Sequence, residues 1–377
     1  MVNQQRLCNE FQHQAAIASP SYQEAAMASY LQQRLEKLGA AVEFDAAGEA
    51  IGSDSGNLIA RFPGTKSGPP FLLSVHMDTV TPATDVQPLL QDGVFTSAGA
   101  TVLGADDKAG ICEIIEAIEV LQEQQITHVP LELVITVCEE KGLLGAKQLD
   151  MAQLQALRGV AMDTAGVDLI VNRAPAANRF KIDIIGLEAH AGICPEQGIS
   201  AIAIAGAAIA RLPLGRIDTE TTANIGTIHG GEATNVVPNR VSLTGEVRSL
   251  DAEKLRQQTE LIISVFEQEV ERAQTLSAEG HKQASMVLEL NEDFPAFQVD
   301  ETAELVKLVQ SAGTALGRPQ QLKAAGGGSD ANIFNAQGIE TLVLATGMDK
   351  IHTADERISV DDMVKVSELL VEILRRA

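Results

Sequence analysis

Five short stretches of this chain carry side chains able to hold a metal and move protons. His76 and Asp78 close the apolar run FLLSVHMDTV, and Cys138-Glu139-Glu140 closes LELVITVCEE. Asp106 and Asp107 stand side by side in LGADDKAG, Asp163 follows the apolar residues of GVAMDTAG, and His352 lies in MDKIHTADE. Residues two apart on a strand face the same side, so Asp78 can support the His76 imidazole and fix its tautomer, as metal-bound histidines require. Adjacent strand residues diverge, so one of Glu139 and Glu140 can bind metal while the other faces substrate, where a general base belongs beside an activated water. Taken singly, each stretch also reads as a solvated strand end or turn. Their shared location carries more weight: His76, Glu139, Glu140, Asp163 and His352 all follow apolar, strand-like runs, where ligands gather in open α/β sheets.

Two histidines with three or four carboxylates and no thiolate suit a pair of zinc ions or a related divalent metal. Three ligand carboxylates leave one positive charge on two divalent ions, which a bridging hydroxide neutralises, and metal binding lowers the pKa of water to about 7. The chemistry expected is hydrolysis.

The elements that must position these residues alternate. NLIARF and FLLSVHMDTV read as strands, AGICEIIEAIEVLQEQQ as a helix and LELVITVCEE as a strand, which predicts an α/β sheet. Upstream, Ser19-Pro20-Ser21 reads as the cap of a helix through YQEAAMASYLQQRLEKLG that stops at Gly39. From about residue 178 the order becomes β-α-β-β-α-β, the split βαβ or ferredoxin-like pattern. After about residue 290 the first style resumes with the helix ETAELVKLVQSAGTALG, the strand TLVLAT and the helix VDDMVKVSELLVEILRRA. The predicted organisation is an α/β catalytic domain over 1–177 and 290–377, with a ferredoxin-like domain inserted at 178–289.

At 377 residues the chain is long enough for two domains. Its 45% hydrophobic and 21% charged residues are ordinary for a globular protein. With 28 basic and 51 acidic side chains the net charge is −23, a field that repels phosphate backbones and anionic lipids. Neither nucleic acid nor membrane is expected as a partner, and the apolar run Ala201–Ala210 falls far short of the roughly 20 residues a membrane helix needs. The N-terminal MVNQQRLCNEFQHQ has no apolar signal core, and the four cysteines form no CxxC pair, so a reducing cytoplasm is expected.

The segments SVHMDTV, LGADDKAG, TVCEEKGLLGA, AMDTAG, EAHAG, TNVVPNR and IHTADE occur in an order that resembles the co-catalytic zinc peptidases. That family includes peptidase T, glutamate-releasing carboxypeptidases, aminoacylase, acetylornithine deacetylase and succinyl-diaminopimelate desuccinylase, and the wording is most similar to peptidase T and its shorter relatives. The resemblance implies a mixed-sheet exopeptidase domain with an inserted lid and dimerisation domain. It implies two zinc ions per chain, for which manganese or cobalt can substitute: His76, Asp106 and Asp163 on one, and Asp106, Glu140 and His352 on the other. Glu139 becomes the general base, Asp78 the support of His76, and the Asp106–Asp107 peptide bond cis. Asp107 is expected to cap the helix that begins at Lys108.

By the same resemblance His190 reaches a partner subunit's site and polarises the scissile carbonyl. Arg248 holds a substrate carboxylate, and Asn235 is a polar contact in the lid. Read from its own residues, the glycine-rich loop holding Gly327 and Ser329 is either a presenter of N–H groups to an anion or a flexible connector. A homodimer cleaving small peptides is expected, with hydrolysis of N-acyl amino acids as the alternative. His229 receives no role.

Overall fold

The computed structural model describes residues 1–277 and 280–377. The chain forms two compact units, Met1–Ala174 with Phe297–Ala377, and Pro175–Ala296.

In the first unit, among the described residues, nine strands join into one mixed sheet. Four adjacent strands form its parallel centre: Leu131–Thr136, Phe71–His76, Arg158–Thr164 and Glu340–Ala345. They are near-continuous apolar runs because both faces are covered, and alternate side chains serve opposite faces. Leu73, Leu133 and Val160 belong to a core with Ile114, Ile118 and Leu370, whereas Leu72 and Val134 pack in another with Leu149 and Phe334. Antiparallel strands Ala41–Phe44 and Leu58–Phe62 extend one edge. Leu169–Ala174 extends the other and itself pairs with Gln321–Ala324 and Phe297–Gln298.

Because the four central strands run the same way, the residues that follow them emerge on one side. A small antiparallel sheet pairs Met348–Asp349 with Arg357–Ser359, leaving His352 on the connecting loop. Helix Ala105–Glu123 opens irregularly: Asp106 (φ −83°, ψ 103°) and Asp107 (φ −121°, ψ 28°) depart from helical angles. The Asp106–Asp107 peptide bond is cis.

The segment Ser19-Pro20-Ser21 does not cap a helix. That helix runs Ala25–Lys37 without a side-chain cap; the segment is instead tied inward, the Thr79 N–H donating to the Ser19 backbone carbonyl at 2.9 Å and Ser21 Oγ to Asp78 Oδ2 at 2.7 Å. A further helix, Gln4–Ala16, is obscured in the sequence by its polar residues and buries Leu7, Phe11 and Ala15.

The second unit carries a five-stranded antiparallel sheet in the order Gly215–Arg216, Thr221–Gly230, Arg240–Ser249, Ala176–Ile185, Ser285–Phe294. Without the short first strand this is the ferredoxin-like arrangement, with helices Ala201–Arg211 and Ala252–Arg272 supplying Ile204, Ala208, Ile262 and Phe266 to its core. Ser285–Phe294 pairs with Ala176–Ile185 as far as Phe294 opposite Ala177, which carries the unit through residue 294. Among the described residues no helix is long and apolar enough to cross a membrane.

Candidate metal centre

Asp106 lies between two histidines. Its Oδ1 is 3.1 Å from His76 Nε2 and its Oδ2 is 3.2 Å from His352 Nε2, while Glu140 Oε1 is 2.8 Å from the same His352 nitrogen. One ligand atom from each of His76, Asp106 and Glu140 falls within 4.8 Å of the others. His76 Nδ1 faces the backbone carbonyl of Asp78 at 2.9 Å. A carbonyl only accepts, so in the neutral imidazole Nδ1 carries the proton and Nε2 turns a lone pair toward Asp106. A lone pair against a carboxylate oxygen needs a proton or a cation between them.

The same contacts raise the proton affinity of both imidazoles. Burial opposes protonation of His76, but the Asp106 and Asp78 carboxylates overcome it and raise its pKa; Asp106 and Glu140 push His352 up to about 10. Burial would raise Asp106, yet the two imidazoles hold it below the usual carboxylate range. For the surrounding acids desolvation outweighs the charge of His76. Burial pushes Glu139 up, helped by the charge of Asp163; it pushes Asp107 up, helped by Asp163 and Asp106. Asp163, half-buried beyond the tight cluster, is raised by desolvation and by Asp106 and Glu140, and burial lifts Asp330 to about 6. Carboxyl groups crowded in this way around two imidazoles fit divalent cations, whose charge would restore the balance.

Local backbone geometry delivers the acids. Cys138 adopts a left-handed conformation (φ 51°) at the end of its strand and turns the chain into Glu139–Lys141. Glu24 Oε1 accepts from the Cys138 N–H at 3.0 Å and from its Sγ at 3.1 Å. The Asp78 carboxylate, expected to support His76, takes its closest partners from this turn and from Ser21. Its Oδ1 accepts from the Glu139 N–H at 2.9 Å and its Oδ2 from the Glu140 N–H at 3.3 Å, whereas Oδ1 is 3.5 Å from His76 Nδ1.

Asp107 does not cap the helix. Its side chain is fully buried; Oδ2 accepts from the His76 N–H at 3.3 Å and Oδ1 has no hydrogen-bond partner among the described residues. The helix packs so closely here that a Cβ at Gly110 would stand 2.5 Å from Asp107 Oδ1 and 2.8 Å from Met162 Cβ.

In the second unit His190 is exposed and bridges to Val236, and the Ala191 N–H donates to Asn235 O at 2.9 Å, which makes His190 and Asn235 neighbours. Arg248 spends its fork on Glu246, through Nε at 2.9 Å and an Nη at 3.0 Å. His229 is exposed on Thr221–Gly230. In the first unit Gly327 is half-buried, and the Ser329 N–H is taken by Asn332 Oδ1 at 3.0 Å, so that donor is not free for an anion. Ser21, Glu24, Asp330 and Glu356 escaped the sequence reading: their partners are remote in sequence, and no local spacing marks them.

Two histidines and clustered carboxylates at the parallel strand ends of a mixed α/β sheet define a metal-dependent hydrolase. The model of Peptidase family M20/M25/M40 matches residues 72–376. A Bacillus subtilis protein described as uncharacterized, YqjE, is 40% identical over 378 residues, 100% of each chain. Among solved structures, aminopeptidase PepT from Bacillus cereus is 41% identical with a TM-score of 0.89, covering 100% of this chain and 99% of that one. A tripeptidase from Staphylococcus aureus is 38% identical with a TM-score of 0.93, covering 100% and 98%. The chain belongs to peptidase family M20/M25/M40 and is a metallopeptidase.

Proposed function

We propose that this chain is a dinuclear zinc-dependent aminopeptidase that cleaves short peptides, tripeptides foremost. The observation that carries the proposal is the Asp106 carboxylate, whose two oxygens face two different imidazoles as a bridging ligand's would. The names of the similar aminopeptidase and tripeptidase support the substrate class. His76, Asp106 and Asp163 would hold one ion, and Asp106, Glu140 and His352 the other, with manganese or cobalt as substitutes for zinc. When bound, such ions act as Lewis acids and make water nucleophilic near neutral pH.

The chain's own residues do the rest. Glu139, buried and raised in proton affinity, accepts a proton from the attacking water and delivers it to the leaving amine. Asp78 holds Glu139 and Glu140 by their backbone N–H groups, which fixes the base relative to the ligand. The inserted unit serves as lid and dimerisation surface: His190 polarises the scissile carbonyl of a partner's substrate, with Asn235 beside it. Arg248 receives the substrate carboxylate by exchanging it for Glu246. Gly327 and Ser329 offer a further polar contact through their loop, by groups other than the Ser329 N–H that Asn332 holds.

The test is to strip the chain with a chelator, reconstitute it with Zn2+, Mn2+ or Co2+, count ions per chain, and assay tripeptides, dipeptides, and N-acetyl and N-succinyl amino acids. Two ions per chain and fastest turnover of tripeptides are expected. Preferential deacylation of N-acyl amino acids would select that alternative, and activity indifferent to chelation would overturn the metal reading.

A further inference from the structure

Three backbone N–H groups of the turn that delivers Asp106 end on one carboxylate. Glu356 Oε2 accepts from the Leu103 N–H at 2.7 Å and the Gly104 N–H at 2.8 Å, and Oε1 accepts from the Asp106 N–H at 3.0 Å. Glu356 is 1% exposed. The N–H groups it takes belong to a stretch that regular structure cannot serve. Gly104 is left-handed (φ 77°), a conformation for which glycine is suited, and Asp106 departs from helical angles.

Glu356 is four residues beyond His352, on the loop between Met348–Asp349 and Arg357–Ser359. The loop that carries His352 therefore grips the turn that carries Asp106, and their side chains meet at 3.2 Å. Hydrogen bonds to an ionised acceptor are about twice as strong as neutral ones, and three on one buried group leave the turn little freedom. With both oxygens already engaged, Glu356 is not itself arranged as a ligand.

We propose that Glu356 is a positioning residue that sets the spacing of Asp106 and His352 and thereby the metal affinity of the centre. The proposal rests on the reading that Asp106 and His352 hold metal. Outer partners of this kind typically govern affinity by about 10- to 100-fold, and that loss is expected for Glu356→Gln, whose amide would set an N–H donor against the Asp106 N–H.

A matched control exists in the same unit. Glu132 is also 1% exposed and accepts two backbone N–H groups, from Gln155 at 2.8 Å and Ala156 at 2.7 Å, near the opposite end of its strand from the site. Zn2+ and Mn2+ affinities would be measured by chelator competition on the native chain, Glu356→Gln, Glu356→Asp and Glu132→Gln, well below each melting temperature. Turnover would be separated into kcat and KM.

Both Glu356 variants should bind at least one ion about 10-fold or more weakly, with kcat reduced and KM little changed, while Glu132→Gln loses melting temperature only. Native affinity in a folded Glu356 variant, or an equal loss in Glu132→Gln, overturns the proposal. Amide hydrogen exchange of the unmodified, metal-free chain gives an independent reading should the variants not fold: Leu103, Gly104 and Asp106 should exchange slowly, and rapid exchange there refutes the clamp. If the native chain binds no metal at all, the underlying metal reading fails instead.

Discussion

Replacing Glu139 by glutamine separates the proposed base from the proposed ligands. Glutamine keeps the shape of the side chain, and the Asp78 bond to the backbone N–H of residue 139 at 2.9 Å does not involve the side chain that changes. None of the clustered ligand atoms comes from Glu139, so metal content should stay at two ions per chain. What disappears is the proton acceptor, a loss that typically costs about 100- to 10,000-fold, or about 3 to 5 kcal/mol on the barrier. Stability should move the other way. Burial raises the Glu139 pKa in the folded chain, so its contribution is fully present below the ordinary glutamate value and is lost as pH rises through the raised one. At pH 7 to 8 a neutral amide should therefore leave the metal-free chain at least as heat-resistant as the native one. The assay pairs tripeptide turnover after metal reconstitution with elemental analysis and calorimetry. Turnover within 10-fold of native, or loss of either ion, would refute the assignment.

Other perturbations report on neighbouring parts of the site. Asp106→Asn should remove high-affinity binding of both ions and reduce turnover by at least 100-fold, which metal titration would detect; two tightly bound ions in that variant would exclude a bridge. The melting-temperature gap between loaded and chelated protein should widen as pH rises from about 5 to 9. In the metal-free chain the raised Asp107, Glu139 and Asp163 contribute stability that begins to be lost above the ordinary carboxylate range, and His352 contributes stability lost as pH rises from its ordinary value toward about 10, while the lowered Asp106 matters only at more acid pH. Gly110→Ala forces a methyl to within 2.5 Å of Asp107 Oδ1 and should cost about 1 to 3 kcal/mol, visible as a lower denaturation midpoint. Mixing His190→Ala with Glu139→Gln chains should regenerate activity if His190 serves a partner's site, and subunit exchange without recovery would argue for action within one chain.

The parallel core was legible because each buried strand is an apolar run bounded by polar residues, and the candidate ligands other than Asp106 were legible because they follow such runs, whereas Asp106 opens a helix. The residues that hold the ligands were not. Ser21 meets Asp78 across 57 positions, Glu24 meets Cys138 across 114, and Glu356 meets the Asp106 turn across 250 to 253. Local spacing carries no trace of such pairs. The Ser19-Pro20-Ser21 segment shows the failure concretely: it has the composition of a helix cap, but Asp78 takes the Ser21 hydroxyl and the helix begins only at Ala25. Asp107 failed likewise, since an N-terminal aspartate favours capping only when no buried donor, here the His76 N–H, draws it away.

In a chain of net charge −23 an acid is weak information by itself, and the structure sorts its acids by what they accept. Asp78, Glu24 and Glu356 each take backbone N–H groups of a turn that bears a candidate ligand or the base, so neutral dipoles satisfy them. Asp106 and Glu140 instead face the two imidazoles, and Asp163 is raised by desolvation and by their charges. Only the second group gains from a cation. Metal removal should accordingly unsettle His76, Asp106, Glu140 and His352, while Glu139 and the turns gripped by Asp78 and Glu356 keep their backbone hydrogen bonds. On the proposed reading, a centre divided in this way should lose and regain ions without rebuilding the scaffold that aims the base.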